Sequence, residues 1–186
     1  MRTRSGSRLA RLHRWTVLPA ALVAALVYAS PAQAVGTEIE TYAGTCQSEG
    51  DSGDGGPRTS ATFELPQGLV HDTLGNLYVS DPADYTVRKV NVLTGTVTRI
   101  AGVHGVSGDD GDGGAATSAH LSWPRGLAYR AATNSLFIAD EARVREVDLS
   151  TGDISTFAGT GTAGYSGDSG AATSAPVNWP APLDSA

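Results

Sequence analysis

Short apolar or alternating segments, separated by turn residues, occupy most of the chain beyond its N-terminal region. Examples are GLVHD from Gly68, NLYVSD from Asn76, TVRKVNV from Thr86 and TVTRIAG from Thr96. Their Val, Ile, Leu, Tyr and Thr content, and the Gly, Asn and Asp residues that bound them, are typical of β-strands joined by tight turns. The pattern therefore predicts an all-β fold made of short antiparallel strands.

The strand pattern recurs along the chain. The segments IETYAGT, VTRIAGV and ISTFAGT place an Ala-Gly pair at Ala43, Ala101 and Ala158, with a spacing of 58 and then 57 residues. Each pair leads into a loop that is rich in Gly and Asp and ends at a proline. A regular period of this length indicates repeated units that bury one another's faces.

The repeated unit contains an Ala-Gly pair, a loop similar to GDGGAATSA, a proline, a Gly-Leu strand, a strand that ends in Asp and a strand with a Val-Arg pair. In this order it closely resembles the NHL repeat of bacterial secreted proteins, over nearly all of Val35–Pro180. The resemblance implies a β-propeller with four-stranded antiparallel blades. NHL propellers include protein-interaction sensors, RNA-binding modules and a peptidyl-hydroxyglycine amidating lyase, so the resemblance does not specify one function.

The repeats predict a partial β-propeller with two complete four-stranded blades, at about 66–102 and 124–159. A leading strand over Thr37–Ala43 precedes them and a trailing loop follows them. A ring of about six blades needs roughly 340 residues. We therefore expect a truncated or frame-shifted piece, or one of three chains that close a ring together. Open blade edges and uncovered faces also predict self-association.

The first 34 residues have the features of a secretory signal peptide. Five arginines lie between Arg2 and Arg14, an apolar segment follows from Trp15 to Ala29, and an A-x-A sequence ends at Ala34. We expect a signal-peptide helix within 1–34, a domain over 35–186, and a secreted protein with no membrane span after cleavage. An uncleaved anchor is the alternative, although the apolar segment is shorter than the ~20 residues of a span.

Signal removal changes the charge of the protein. The whole chain has a net charge of −6, but residues 35–186 keep eight basic and 19 acidic side chains, a net charge of −11. Such a surface repels phosphate backbones, which argues against a nucleic-acid partner and is compatible with cation binding. The single cysteine, Cys46, excludes an intramolecular disulfide and is expected to be buried or free, with pairing to another chain as the alternative.

The acidic loop SGDDGDGG contains the candidate calcium ligands Asp109, Asp110 and Asp112. Closely spaced carboxylates among glycines are suited to Ca²⁺, but the EF-hand pattern requires a later Glu where this chain has His120. A solvated turn, in which the Asp side chains bind their own backbone, explains the same composition. Calcium therefore remains a weak candidate, and no other cofactor is indicated.

Asp81 and Asp140 end matching strands and are followed by Arg88 and Arg145. Their recurrence in both units favours a structural Asp–Arg pair within each blade, because a catalytic residue is normally needed once. A ring of acidic ligand-binding groups on the loop face is the alternative interpretation.

Two tryptophans, Trp123 and Trp179, precede prolines at equivalent positions and are expected to fill gaps between blades. The histidines His71, His104 and His120 occupy non-equivalent positions, so nothing in the sequence predicts that they converge on a site. Nucleophile-elbow, zinc-protease and phosphate-loop motifs are absent from the sequence. We therefore assign no catalytic residue.

The function expected from these observations is a secreted scaffold that binds protein or glycan ligands. Loops on a rigid scaffold are frequent binding sites, and the inter-blade loops of the resembling folds converge on one face. Two alternatives remain: the remnant of a metal-dependent propeller enzyme, either a lyase or a lactone hydrolase, and a fragment without independent function.

Overall fold

The computed structural model describes residues 40–46 and 48–180, whose regular structure is two four-stranded antiparallel sheets. The first sheet contains β1 (Gly68–His71), β2 (Leu77–Asp81), β3 (Thr86–Val90) and β4 (Val97–Gly102). The second sheet contains β5 (Pro124–Arg130), β6 (Ser135–Asp140), β7 (Arg143–Asp148) and β8 (Ile154–Ala158). Short 3₁₀ turns form at Arg58–Ser60, Ala116–Ser118 and Ala172–Ser174. The predicted signal peptide, 1–34, lies outside the described residues.

Both sheets have the same topology, with each strand paired to the next along the chain. Each also has a β-bulge at the equivalent place in its last strand pair, next to Arg88 in the first sheet and next to Arg145 in the second. The sequence repeat is therefore also a structural repeat, and it includes the position of the β-bulge. The prediction of a β-rich chain with repeated blade-like sheets is confirmed.

The largest apolar core lies between the two sheets. The first sheet contributes Tyr78, Val87 and Ala101, and the second contributes Leu136 and Ile138, all of them almost completely buried. Leu127, Val147 and Ile154 extend this core, as do the loop residues Ala116, Ala119 and Leu121. Burying these side chains is the main contribution that joins the two sheets into one unit.

The sheets meet where β1 and β2 contact β5. The Ser80 hydroxyl donates to the Arg125 carbonyl at 2.6 Å and accepts from the Gly68 backbone N–H at 2.9 Å. A Cβ at position 68 would overlap the Arg125 carbonyl, so glycine is required by this close approach.

Three long loops connect the elements: the first loop (45–67), the second loop (103–123) and the third loop (159–180). The first two run along the outer edge of the sheet that follows them. Gly55 donates to the Val97 carbonyl at 2.7 Å, and Gly113 donates to the equivalent Ile154 carbonyl at 2.8 Å. These bonds partly cover the edge strands β4 and β8, which would otherwise offer unpaired backbone groups to other chains.

The leading strand predicted over Thr37–Ala43 is not formed in its described part, Glu40–Ala43. Tyr42 and Ala43 instead lie beside Phe63, on the outer face of the first sheet. The physical reason is the lack of a pairing partner. The equivalent residues, Ile100 and Ala101, pair with β3 of their own sheet, and no described strand takes that place for Tyr42 and Ala43.

A buried arginine in the third strand of each sheet holds the loop that precedes it. Arg88 donates to the carboxylate of Asp54 at 2.8 Å and to the carbonyls of Ser52 and Thr62 at 3.0 and 2.6 Å. Its side chain is fully buried, so these acceptors replace water around the charge.

Arg145 repeats this arrangement in the second sheet. It donates to Asp112 at 2.6 Å and to the carbonyls of Asp110 and His120 at 3.2 and 3.4 Å. We refer to Arg88–Asp54 and Arg145–Asp112 as the two arginine clamps.

Within residues 40–46 and 48–180, no helix is both long enough and apolar enough to cross a membrane.

The arginine clamps lead to a prediction about stability. Arg88→Leu should lower the free energy of unfolding by roughly 3 kcal/mol, because the loop carboxylate and two carbonyls lose their buried donor. The matched control is Arg99→Leu on β4, a partly exposed position, which should change it by no more than about 0.5 kcal/mol. Urea unfolding of the two variants measures the difference. Equal losses would show that the clamp does not hold the loop.

Candidate functional site

Three chain segments meet at one end of the first sheet: the first loop, the β2–β3 turn and the residues that follow β4. Because the strands are antiparallel, the β2–β3 turn and the end of β4 lie at the same end of the sheet. The Gly105 N–H donates to the Asp84 carbonyl at 3.2 Å, which joins two of these segments. Asp51 of the first loop lies against both.

Asp51, Asp84 and His104 converge at this place. His104 Nδ1 lies 3.0 Å from Asp84 Oδ1 and 3.3 Å from Asp51 Oδ2. One ligand atom from each of the three residues lies within 4.8 Å of the other two. The two carboxylates are almost completely buried, whereas the His104 side chain is 59% exposed. We call these three residues the Asp–Asp–His cluster.

The carboxylates of the cluster are in an unfavourable environment for negative charge. Burial, together with the charges of Asp81 and Asp51, raises the pKa of Asp84 to about 6. Burial also raises the pKa of Asp51, against the opposing effects of Arg88 and His104. Asp84 Oδ2 is buried and has no hydrogen-bond partner among the described residues. The cluster therefore gains stability from any group that supplies positive charge.

The β2–β3 turn that carries Asp84 is held by its neighbours. Tyr85 adopts a left-handed conformation, with φ of 57°, and its N–H donates to the Pro82 carbonyl at 3.3 Å. The Tyr85 ring packs edge-to-face against Trp123 of the second loop, with 6.3 Å between ring centroids. The turn is thus fixed between the sheet and the loop that leads into the second sheet.

Arg88 links the cluster to the first arginine clamp. Its Nη1 lies 3.3 Å from Asp51 Oδ1, while its Nη2 is bound to Asp54. The two oxygens of Asp51 therefore have different neighbours, Arg88 on one side and His104 on the other.

The three calcium candidates do not converge on a common point among the described residues. Each pairs instead with a different basic side chain: Asp109 with Arg143 at 3.2 Å, Asp110 with His120 at 2.7 Å, and Asp112 with Arg145 at 2.6 Å. Burial acts to raise the pKa of Asp112, but the Thr156 hydrogen bond and the Arg145 charge lower it overall. The composition of this loop is therefore explained by pairing with basic groups.

The expected pair between Asp81 and Arg88 is wrong. Asp81 accepts backbone N–H groups of the first loop, from Glu64 at 2.7 Å and from Leu65 at 2.8 Å. Arg88 pairs with Asp51 and Asp54 instead. The loop supplies nearer acceptors to the arginine and unpaired donors to the aspartate, which the spacing along one sheet does not reveal.

Asp140 has the same role in the second sheet. Its Oδ1 accepts the N–H groups of Ser122 and Trp123 at 2.9 and 2.8 Å, and its Oδ2 lies 4.0 Å from Arg145 Nη1. Here an Asp–Arg contact exists, but it is longer than the clamp between Arg145 and Asp112.

The two tryptophans occupy different environments. Trp123 is partly buried and packs on Tyr85 of the β2–β3 turn, so it lies between the two repeats. Trp179 is 48% exposed, and the Arg125 guanidinium lies 4.7 Å from its ring centroid.

The Asp–Asp–His cluster was not predictable from the residues that recur, because Asp84 and His104 have no equivalents in the second repeat. Asp84 lies in a β2–β3 turn that is two residues longer than the equivalent turn after Asp140, and Gly161 stands at the position equivalent to His104. These departures from the repeat are the signal that points to the cluster. The three histidines do not converge with one another, but His104 converges with two aspartates.

Cys46 is exposed, which is contrary to a buried thiol, and it forms no disulfide within the described residues.

No protein-family model matches the chain. Over 116 residues it is 33% identical to "Protein SUPPRESSOR OF QUENCHING 1, chloroplastic" of Arabidopsis thaliana. This match covers 60% of this chain and 11% of the plant protein. A structural genomics protein of unknown function from Bacteroides thetaiotaomicron has a TM-score of 0.56 and 22% identity, over 64% of this chain and 29% of its own. An auxiliary nutrient binding protein from the same organism has a TM-score of 0.51 and 20% identity. That match covers 67% of this chain and 33% of the nutrient binding protein.

The chain thus spans about a tenth of the plant protein and about a third of each solved structure. At these identities, the likeness to the solved structures concerns the fold.

The environment of Asp140 leads to a prediction about pH. Burial raises its pKa to about 6, against the opposing effects of the two backbone N–H groups and Arg145. The Asp140 carboxylate therefore binds a proton more tightly in the folded state than in the unfolded state. Ionising Asp140 costs stability, and that cost grows as pH rises from about 4 to about 6.

Asp140→Asn cannot ionise, and its Oδ1 can still accept both N–H groups. The melting temperature of the variant relative to the unaltered protein should rise between about pH 4 and pH 6 and stay level above that range. Asp153→Asn removes one charge at an exposed position and serves as the control. A relative melting temperature that falls with rising pH would contradict this account of Asp140.

Proposed function

We propose that the chain is a segment of a secreted β-propeller of the NHL type that acts as an interaction scaffold. The open outer faces of its two sheets bind protein, and the partner that fits them best is another blade, supplied by a second copy of the chain. The observation that carries this proposal is the exposure of apolar side chains on both outer faces.

The outer face of the first sheet has an apolar groove of about 270 Å³. Leu69, Leu77, Phe63 and Pro66 are among the residues that line it, and Leu69 is 64% exposed. On the outer face of the second sheet, Phe157 is 42% exposed and packs edge-to-face on Phe137 at 4.8 Å. Apolar surface that forms a continuous patch is characteristic of protein-binding sites.

The interface inside the chain indicates what would cover these faces. Leu69 and Leu77 occupy the positions equivalent to Leu127 and Leu136, which the first sheet covers. Phe137 occupies the position equivalent to Tyr78, which the second sheet covers. The outer face of the second sheet should therefore pack on the outer face of the first sheet of another copy, as the first sheet packs on the second within one chain. This arrangement predicts a head-to-tail association of copies.

Association of this kind requires two segments to move aside. The third loop of one copy and the first loop of the next occupy equivalent positions, and Glu40–Ala43 overlaps the position of β8. The third loop lacks the clamp that holds the other two, because Asp168 has no arginine partner among the described residues. Glu40–Ala43 is not paired as a strand. Both displacements break few backbone hydrogen bonds to the sheets.

The partly covered edges of β4 and β8 favour association through faces over association through edges. The acidic charge of residues 35–186 argues against nucleic acid as the partner.

The proposal predicts a specific pattern of association in light scattering coupled to size exclusion. The purified chain should form dimers or larger species, and Leu69→Asp and Phe157→Asp should each give monomers, because each variant loses one face. The control is Leu93→Asp on the β3–β4 turn, which is exposed but outside both faces and should associate normally.

A mixture of Leu69→Asp and Phe157→Asp should form a one-to-one dimer, since each variant keeps the face that the other lacks. Circular dichroism establishes that each variant is folded. A monomeric unaltered chain, or a mixture that stays monomeric, would contradict head-to-tail association.

A further inference from the structure

We propose that Asp51, Asp84 and His104 bind one divalent transition-metal ion, with Zn²⁺ as the best match. The inference is independent of the interaction scaffold, because it depends on none of the residues of the outer faces. It concerns the end of the first sheet where three chain segments meet.

The spacing of the donor atoms fits such an ion. Ligands at 2.0–2.1 Å from a tetrahedral Zn²⁺ lie roughly 3.3 Å apart. His104 Nδ1 is 3.0 Å from Asp84 Oδ1 and 3.3 Å from Asp51 Oδ2, which match this spacing, and a ligand atom of each aspartate lies within 4.8 Å of the other. Three protein ligands leave a fourth position for water, and the exposed His104 side chain gives the ion access from solvent.

The orphaned oxygen of Asp84 is a separate observation that points to a ligand. Its side chain is 2% exposed, and Oδ2 has no partner among the described residues. A buried polar atom of this kind costs free energy unless something binds it. A cation that Asp84 binds through Oδ1 towards His104 and through Oδ2 as a second ligand atom would supply the missing interaction.

The donor set selects the kind of metal. Ca²⁺ and Mg²⁺ prefer oxygen ligands in larger numbers, whereas an imidazole nitrogen with two carboxylates suits Zn²⁺ and its first-row neighbours. Arg88 lies near Asp51 but faces its other oxygen and is already bound to Asp54. Asp51 Oδ2 therefore remains available to the metal.

The chain contains a matched comparison site. Asp110 and His120 form a contact of 2.7 Å between a carboxylate and an imidazole, but the Asp110 side chain is 70% exposed and no second carboxylate within 40–46 and 48–180 joins the pair. If the second buried carboxylate creates the metal site, the Asp110–His120 pair should not bind a metal ion measurably.

Titration calorimetry with Zn²⁺ on the purified, chelator-treated chain tests the site. All variants carry Cys46→Ser, so that the exposed thiol does not contribute a ligand. We expect one equivalent of Zn²⁺ to bind and to raise the melting temperature, since a ligand of the folded state stabilises it. Asp84→Asn and His104→Ala should each weaken the affinity by more than about 100-fold, because each removes one of three ligands.

Asp110→Asn and His120→Ala should bind Zn²⁺ as the Cys46→Ser parent does. Co²⁺ should give the visible absorption of a four- or five-coordinate site, and this absorption should be lost in Asp84→Asn. Circular dichroism separates loss of the site from loss of the fold, and Asp84→Asn should remain folded because it removes a buried charge. Unchanged Zn²⁺ affinity in Asp84→Asn, equal losses in the Asp110 and His120 variants, or binding of Ca²⁺ in preference to Zn²⁺ would overturn the proposal.

Discussion

A fully buried guanidinium in each sheet determines where the long loops lie. Arg88 and Arg145 require acceptors, because a buried charge without a partner destabilises the folded state. Removing one partner of a buried ion pair lowers the free energy of unfolding by roughly 3–5 kcal/mol. The loops supply these acceptors as one carboxylate and two carbonyls, at the same positions in both repeats. The clamped loop then covers the edge of its sheet and contributes apolar residues to the core.

The same constraint explains the acidic loop that first suggested calcium. Asp112 recurs as Asp54 because both accept from an arginine, and Asp109 and Asp110 have basic partners of their own. The Asp–Asp–His cluster is different, because Asp84 and His104 have no counterparts in the second sheet. The clamp residues that repeat thus maintain the fold, whereas the candidate metal site combines Asp51, which recurs as Asp109, with two residues that break the repeat.

Much of the fold was predictable from the sequence. Alternating Val, Leu and Tyr residues between turns indicate the strands, and the period indicates two equivalent sheets. The partners of Arg88 and Asp81 were not predictable, because they lie on a loop whose path depends on tertiary packing. The leading strand was overpredicted, since its apolar pattern carries no information about a missing pairing partner. The Asp–Asp–His cluster depends on three segments far apart in sequence, and no local spacing reveals it.

Asp54 and Asp112, which accept from the clamp arginines, are assigned to the fold, and the Asp–Asp–His cluster is assigned to metal binding. Anomalous diffraction at the zinc absorption edge, from crystals of the chain grown with Zn²⁺, tests this division most directly. The account predicts an anomalous peak bounded by Asp51, Asp84 and His104, with none at Asp109, Asp110 or Asp112. A peak in the acidic loop, with none at the cluster, would contradict it.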